Sequence, residues 1–478
     1  MDFPIFHLDF FGNRLLIAVI ATIHVLINHS LAVGFLPVVT LIEYRGYKCR
    51  LIGLSESEKW DELAYKFMYF AFVITTSVGA LTGVGIWFSA ALISPAAIGS
   101  LIRVFFFAWF VEWIVFMLEV IFIMIYFLTW KKSNENLQKK KNHIRAGLAL
   151  SIFSWLTMAI IVGILGFMMN SGNWFESQSL INGFTNPMYL PQLAFRTPMA
   201  FVMGGAVAFS LTFFYLKNDV DFKSKVLKNL SFWMFIWTPH VLIAGLFYYF
   251  QIPELMKLNI PVAVATQQFQ DWYDTLLYFL LAAVFVSMMF TVFAAFKPKR
   301  IPPFTAVLLV IITFLTLGMF ERIREFVRKP YVIENYMYSN QIRVNEYEML
   351  GKQGILLHST YTEIPAVTQE SILIAGKNVF DITCSRCHTN NGVNSVVRKF
   401  EVLFSPNKEP LDKERMKDYI PVMDKGRYYM PPFPGNQEEI NALVEYICYI
   451  QFKNVYSPGA QVNGINVSPL HLNERKDN

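Results

Sequence analysis

Charge is scarce in this chain. Only 16% of its 478 residues are Asp, Glu, Lys or Arg, whereas 54% are hydrophobic and 45 are Phe. No single water-exposed domain can bury that much apolar surface, so the composition excludes a soluble globular protein and points to a bilayer. The mean hydropathy of +0.39 agrees. Cysteine is scarcer still, at four residues, which is too few for a disulfide framework. Internal repeats and low-complexity tracts are lacking. The net charge of +6 is modest and gathers in certain loops, so it reflects membrane topology and not nucleic-acid binding.

Against that background one short motif stands out, Cys384-Ser-Arg-Cys387-His388. Two thiols three residues apart on one turn can form thioethers with the vinyl groups of a haem while the next imidazole ligates its iron. A zinc half-site would need a second ligand pair, and Cys49 and Cys448 do not form one. Downstream, Tyr429-Met430-Pro431-Pro432-Phe433-Pro434-Gly435 offers a distal thioether, Met430, on a loop stiffened by proline; Met423 is the alternative. From Ile364 to Lys453 the order helix, C-x-x-C-H, M-P-P-F, helix (Gln437 to Gln451) resembles a small monohaem cytochrome c domain.

Most of the remainder is apolar. Runs long enough to span lie at Arg14 to Val38, Phe67 to Ala90, Val104 to Leu128, Ala146 to Met169, Met199 to Leu216, Leu230 to Phe250, Leu276 to Phe296 and Phe304 to Phe320. The expected fold is therefore all-α: a polytopic transmembrane bundle of about eight spans with a small all-α cytochrome c domain. Lys and Arg concentrate in the connections after the first, third, fifth and seventh spans, the others holding almost only Arg103, Arg196 and Lys257. The positive-inside rule then puts both termini outside. Covalent haem attachment on the outer face of the bacterial cytoplasmic membrane leads to the same topology. The expected domains are 1–325 in the membrane, 326–363 as an extracytoplasmic connector and 364–478 as the cytochrome c domain with its tail.

Ionisable groups within spans are costly and mark function. His24 sits about ten residues into the first span, roughly 15 Å of helix rise from its end, either as an iron ligand or bonded to a neighbouring helix. His29 is nearly opposite on the helix and reads as structural. Glu112 and Glu119, two turns apart on one face, suit a proton relay or a weak ligand to a high-spin haem. Glu321-Arg322-Ile323-Arg324-Glu325 reads by itself as a juxtamembrane set of ion pairs. His240, after Thr238-Pro239, is a ligand or a hydrogen-bonded His at a helix break; His7, His143, His358 and His471 fall outside the expected spans and should be solvated.

Taken in order, Ile20-Ala21-Thr22-Ile23-His24, Gly79 to Phe88, Glu112 with Leu118-Glu119, Asn186-Pro187, and Glu321 with Arg324 resemble subunit I of the cytochrome bd oxidases over roughly residues 10 to 330. The resemblance implies that His24, Glu112, Glu119, Glu321 and Arg324 build and serve a pair of buried high-spin haems, of b or d type, where oxygen is reduced. It implies His24 and Glu321 as iron ligands and Glu112, Glu119 and Arg324 as groups serving the reaction, with Glu112 and Glu119 one residue closer than the family pattern. It also implies a second membrane subunit resembling bd subunit II.

Departures from the pattern matter too. Where the family has the His ligand of a low-spin haem, this chain reads Phe195-Arg196-Thr197-Pro198, and the outer loop where quinol is oxidised shrinks to Gln251 to Asp274. The expectation is replacement: electrons enter from a periplasmic donor such as a cytochrome, through the haem c of Cys384, Cys387, His388 and Met430. Reduction of nitric oxide or another small oxidant, or a non-catalytic electron-transfer subunit of a larger assembly, remain the alternatives.

Overall fold

A computed structural model describes residues 5–266, 269–362, 364–405 and 409–455. His471 lies outside the described residues. The chain divides into two compact units, one of residues 15–345 with 427–431, the other of 1–14, 346–426 and 432–478.

Among the described residues of the first unit, eight helices are long and apolar enough to cross a membrane: α1 Asn13–Leu51, α2 Ser57–Ile93, α3 Phe106–Leu128, α4 Leu137–Phe167, α5 Tyr189–Tyr215, α6 Val220–Gln251, α7 Gln270–Phe296 and α8 Pro303–Val327. Lipid offers no partner for backbone N–H and C=O groups, so an apolar chain satisfies them within helices. The eight expected spans are all present, but several helices outrun the apolar runs that reveal them. Charged ends cost nothing once they pass the hydrocarbon, so helix length and apolar length differ.

Two consequences correct the sequence reading. Because Asn136 caps α4 through its side chain, accepting from Lys139 N, the helix begins nine residues before Ala146. His143, expected to be solvated, is 4% exposed. Likewise α5 begins at Tyr189 and not at Met199, so Arg196, counted above as a loop charge, lies inside a span at 1% exposure.

The bundle packs closely where side chains vanish. A Cβ added at Gly34 on α1 would overlap the Ala200 carbonyl of α5, and one at Gly204 would overlap the Gly34 backbone. This close approach of small residues lets two spans meet at backbone distance. It also brings His29, one turn before Gly34, against Arg196 on α5. A π-helical stretch from Asn28 to Phe35 interrupts α1 there, and such insertions re-aim side chains.

Past α8 the connector forms a two-stranded antiparallel ribbon, β1 Tyr331–Ile333 and β2 Met337–Tyr338. Gln341 ties it to the end of α2, donating to Ile93 O at 2.7 Å and accepting from Ala96 N at 3.1 Å.

The second unit holds α9 Tyr347–Gln353, α10 Ile372–Thr383, α11 Val396–Phe404, α12 Lys413–Tyr419 and α13 Gln437–Val455. Helices α10 and α13 cross at Gly376, where a Cβ would overlap the Ala442 carbonyl. The buried Glu439 fastens the segment before α10, accepting from Ile355 N at 2.6 Å and Leu356 N at 2.8 Å. Residues 5–14 belong to this unit as well, although α1 follows them in the chain.

Candidate functional site

The C-x-x-C-H motif is built by the end of α10. Cys384 N donates to Phe380 O at 2.8 Å, and Cys387 N and His388 N both donate to Cys384 O, at 3.0 and 2.8 Å. That single turn holds both thiols and the imidazole on adjoining positions. Neither thiol is in a disulfide. His388 Nδ1 donates to Asn394 O at 3.1 Å, which fixes the tautomer and leaves Nε2 with the lone pair that a metal needs. Burial pushes the His388 imidazole down to about 4, outweighing the opposing pull of its bond to Asn394, so the ring stays neutral. The same burial pushes the Cys384 thiol up to about 11. This donor set fits a covalently attached haem.

Sequence reasoning missed what steadies this motif. Asp9 Oδ1 accepts from Asn390 N at 2.6 Å, and Phe10 O accepts from Val393 N at 3.1 Å. The N-terminal segment thus pins the loop that supplies the Asn394 carbonyl. Gly392 makes room for it, since a Cβ there would overlap the Asp9 and Phe10 carbonyls. Nothing local in residues 5–14 signals such a contact, which spans some 380 positions. Met423 begins a short helical turn in this unit. Met430 belongs to the other unit, on a turn closed by its N–H to Arg427 O at 2.8 Å.

Within the membrane unit, His24 Nδ1 lies 3.2 Å from Gly79 O and 3.2 Å from Thr82 Oγ1. With the proton on Nδ1, Nε2 is again the free nitrogen, so His24 fits an axial imidazole. Gly83 leaves space for it, a Cβ there lying 3.2 Å from His24 Cε1. Glu119 accepts from Ser154 Oγ at 2.6 Å and Thr157 Oγ1 at 3.2 Å on α4. Glu112, two turns away on α3, is half-buried on the same stripe. His240 is exposed on α6 and bonds the Ile236 carbonyl at 2.9 Å, as a hydrogen-bonded His beside Pro239 does.

Glu321 is brought to Arg324, whose Nε donates at 3.1 Å, and equally to Arg196, whose Nη2 lies 2.5 Å from Oε1. Arg196 Nη1 reaches His29 Nε2 at 3.2 Å, and His29 Nδ1 donates to Val25 O at 3.0 Å. A stacked pair, Phe195 and Phe320 at 4.1 Å, walls the group. One turn on, Glu325 takes a two-pronged contact from Arg328 Nη2 at 2.6 Å and Nε at 3.1 Å. Glu321 is thus an ion-paired carboxylate whose Oε1, although close to Arg196 Nη2, makes no hydrogen bond. Thr197 instead accepts from Trp155 Nε1 at 3.0 Å.

Comparison with known proteins places both units. Residues 373–447 match the family model of cytochrome c oxidase, cbb3-type, subunit III, so the chain carries a C-terminal cytochrome c domain, which implies a haem c. The structure resembles that of the bd oxidase from Geobacillus thermodenitrificans, with a TM-score of 0.56 and 17% identity, covering 69% of this chain and 90% of that one. No curated protein matches the chain. The protein is a multi-pass membrane protein: a bd oxidase-like helical scaffold fused to a cytochrome c domain.

Proposed function

We propose that this protein is a membrane-bound oxidoreductase that accepts electrons from a periplasmic donor, such as a cytochrome, and reduces dioxygen to water in the bundle. Four electrons and four protons per dioxygen are consumed. Haem, when bound, supplies one-electron transfer at the cytochrome c unit and oxygen chemistry within the spans. Cys384 and Cys387 would tether the first, and His388 Nε2 and Met430 would ligate its iron. His24 Nε2 and Glu321 would hold iron in the buried haems, two of b or d type. Glu112 and Glu119 hold and move protons, and Arg324 with Arg196 compensates the charge of Glu321.

The observation that carries this reading is the joining of a bd oxidase fold to a C-x-x-C-H unit, with Arg196 and Thr197 in place of a haem ligand on α5. An electron entrance lost inside the bundle is supplied by the new domain. Lys and Arg distribution supports a bacterial cytoplasmic membrane location with the cytochrome c domain on the periplasmic side. The exposed aromatic faces of α3 and α7, Phe107, Trp113, Phe279 and Phe285 among them, suit lipid and a second membrane subunit.

A second reading follows from Glu321. Its ion pairs to Arg196 and Arg324 would have to yield to an iron, which favours a non-catalytic electron-transfer subunit. Carbon monoxide difference spectra of the reduced protein separate the two: a carbon monoxide-binding high-spin haem is expected of the enzyme, and its absence would refute it. Oxygen against nitric oxide turnover with a reduced cytochrome donor then identifies the acceptor.

A further inference from the structure

The imidazole of His24 is seated on α2 by three residues of one helix face, Gly79, Thr82 and Gly83, spaced i, i+3 and i+4. Gly83 keeps that face flat, since a Cβ there would lie 3.2 Å from His24 Cε1 and 3.6 Å from Nδ1. One turn earlier on α1, Ile20 packs over Gly85, where a Cβ would lie 3.2 Å from Ile20 Cγ2. Small residues on α2 thus let α1 approach closely enough for His24 to reach backbone. The carbonyl it reaches, that of Gly79, closes a π-helical stretch of α2, Thr75–Gly79, and α1 itself turns π-helical at Asn28, one turn past His24. Such wide turns gather at functional sites.

The proton positions follow from the partners. Gly79 O can only accept, so Nδ1 carries the proton that it shares between Gly79 O and Thr82 Oγ1, each 3.2 Å away. The Thr82 hydroxyl uses its own proton within α2, donating to Val78 O at 2.7 Å, with Gly79 O at 3.0 Å as the other acceptor. What it offers His24 is therefore a lone pair. Thr75, Thr76 and Ser77 carry hydroxyls on the same stretch, and each donates back into α2, to Ala71 O, Phe72 O and Val73 O, without meeting the imidazole. Among the described residues, no carboxylate bonds His24; both acceptors of its Nδ1 proton are neutral.

We infer that Thr82 is a positioning residue for His24: its hydroxyl, with Gly79 O, fixes the tautomer and the ring orientation and keeps the ligand a neutral imidazole. The inference rests on the reading of His24 as an iron ligand. A carboxylate in that place would draw the Nδ1 proton and push electron density through Nε2, which favours oxidised metal; a hydroxyl and a carbonyl orient the ring with less of that push. The His24 site is thereby biased towards reduced iron, the state that meets a small oxidant. The opposing account is that Thr82 bonds only its own helix, as Thr75, Thr76 and Ser77 do, and touches His24 by packing.

The test uses the full protein purified with its haems. Thr82→Val keeps the side-chain shape and removes the hydroxyl, Thr82→Ala is a smaller second variant, and Thr82→Ser returns the hydroxyl. Resonance Raman spectra of the reduced proteins, redox titration of the non-covalent haem and its transfer to excess apomyoglobin are compared with wild type. In Thr82→Val and Thr82→Ala the iron–histidine stretching band is expected at lower frequency, the midpoint potential higher, and haem transfer faster by about tenfold or more. Thr82→Ser should restore all three, and the haem c spectrum should not change in any variant. A wild-type band and potential in either assembled variant would overturn the inference. Failure of the ligand reading is distinct: His24→Ala would keep its full non-covalent haem, and wild type would show no iron–histidine band.

Discussion

Arg196 Nη2 stands 2.5 Å from Glu321 Oε1, joining α5 to α8 through two groups buried at 1% and 8% exposure. His29 completes the set from α1. Three spans thus share one charge-compensated contact, closed on the fourth side by Arg324. Removing Glu321 leaves Arg196 charged and without its carboxylate in a low-dielectric setting. Glu321→Leu is therefore expected to destabilise the bundle by about 3–5 kcal/mol. The double variant Arg196→Leu/Glu321→Leu should recover much of that loss, and thermal melting in detergent with the four proteins of the cycle measures it.

His24→Ala is expected to reduce the non-covalent haem content while leaving haem c untouched. Pyridine haemochrome analysis counts both. Unchanged non-covalent haem would assign His24 to its bonds with Gly79 and Thr82 alone.

Replacing Met430 by Ala removes the thioether proposed for the distal side of haem c. A lower midpoint potential or a changed spin state should follow, because Met ligation raises the potential. An unchanged spectrum would move the ligand to Met423.

Asp9→Ala deprives Asn390 N of its carboxylate acceptor, at a cost of about 1.5–3 kcal/mol for a hydrogen bond to a charged group. Melting followed in the haem c Soret band should shift down, and Asp9→Asn should restore part of it. The effect reports the N-terminal segment's hold on the loop that carries Asn394.

Cys448 supplies a pH prediction. Burial pushes its thiol up to about 11, more than the nearby Lys413 draws it down. Raising a thiol's pKa reduces the thiolate present at a given pH, so at pH 8 only about one molecule in a thousand is reactive. Iodoacetamide labelling of Cys448 should be negligible at pH 8 and climb tenfold per pH unit towards pH 11, as read by mass spectrometry.

The sequence alone determined the parts of this protein that depend on composition and local order. Eight apolar runs in a chain with 16% charge can only be spans, because lipid forces helices on them. Cys384, Cys387 and His388 share one turn whatever surrounds them, so the haem c site was legible from five letters. Glu112 and Glu119 on one face follow from helical periodicity.

Tertiary structure decided what each buried charge meets. Arg196 and His143 looked like loop residues because apolar length understates helix length. Their burial depends on where α4 and α5 begin and on the close approach of Gly34 to Ala200. His29 bonds Arg196 because α1 crosses α5 at that point, and nothing in its own spacing foretells a partner on a distant span. Asp9 reaches Asn390 across most of the chain. Periodicity assigns a residue to a face; only packing chooses which other face it touches, because long-range contacts are selected by shape and charge complementarity and not by sequence distance.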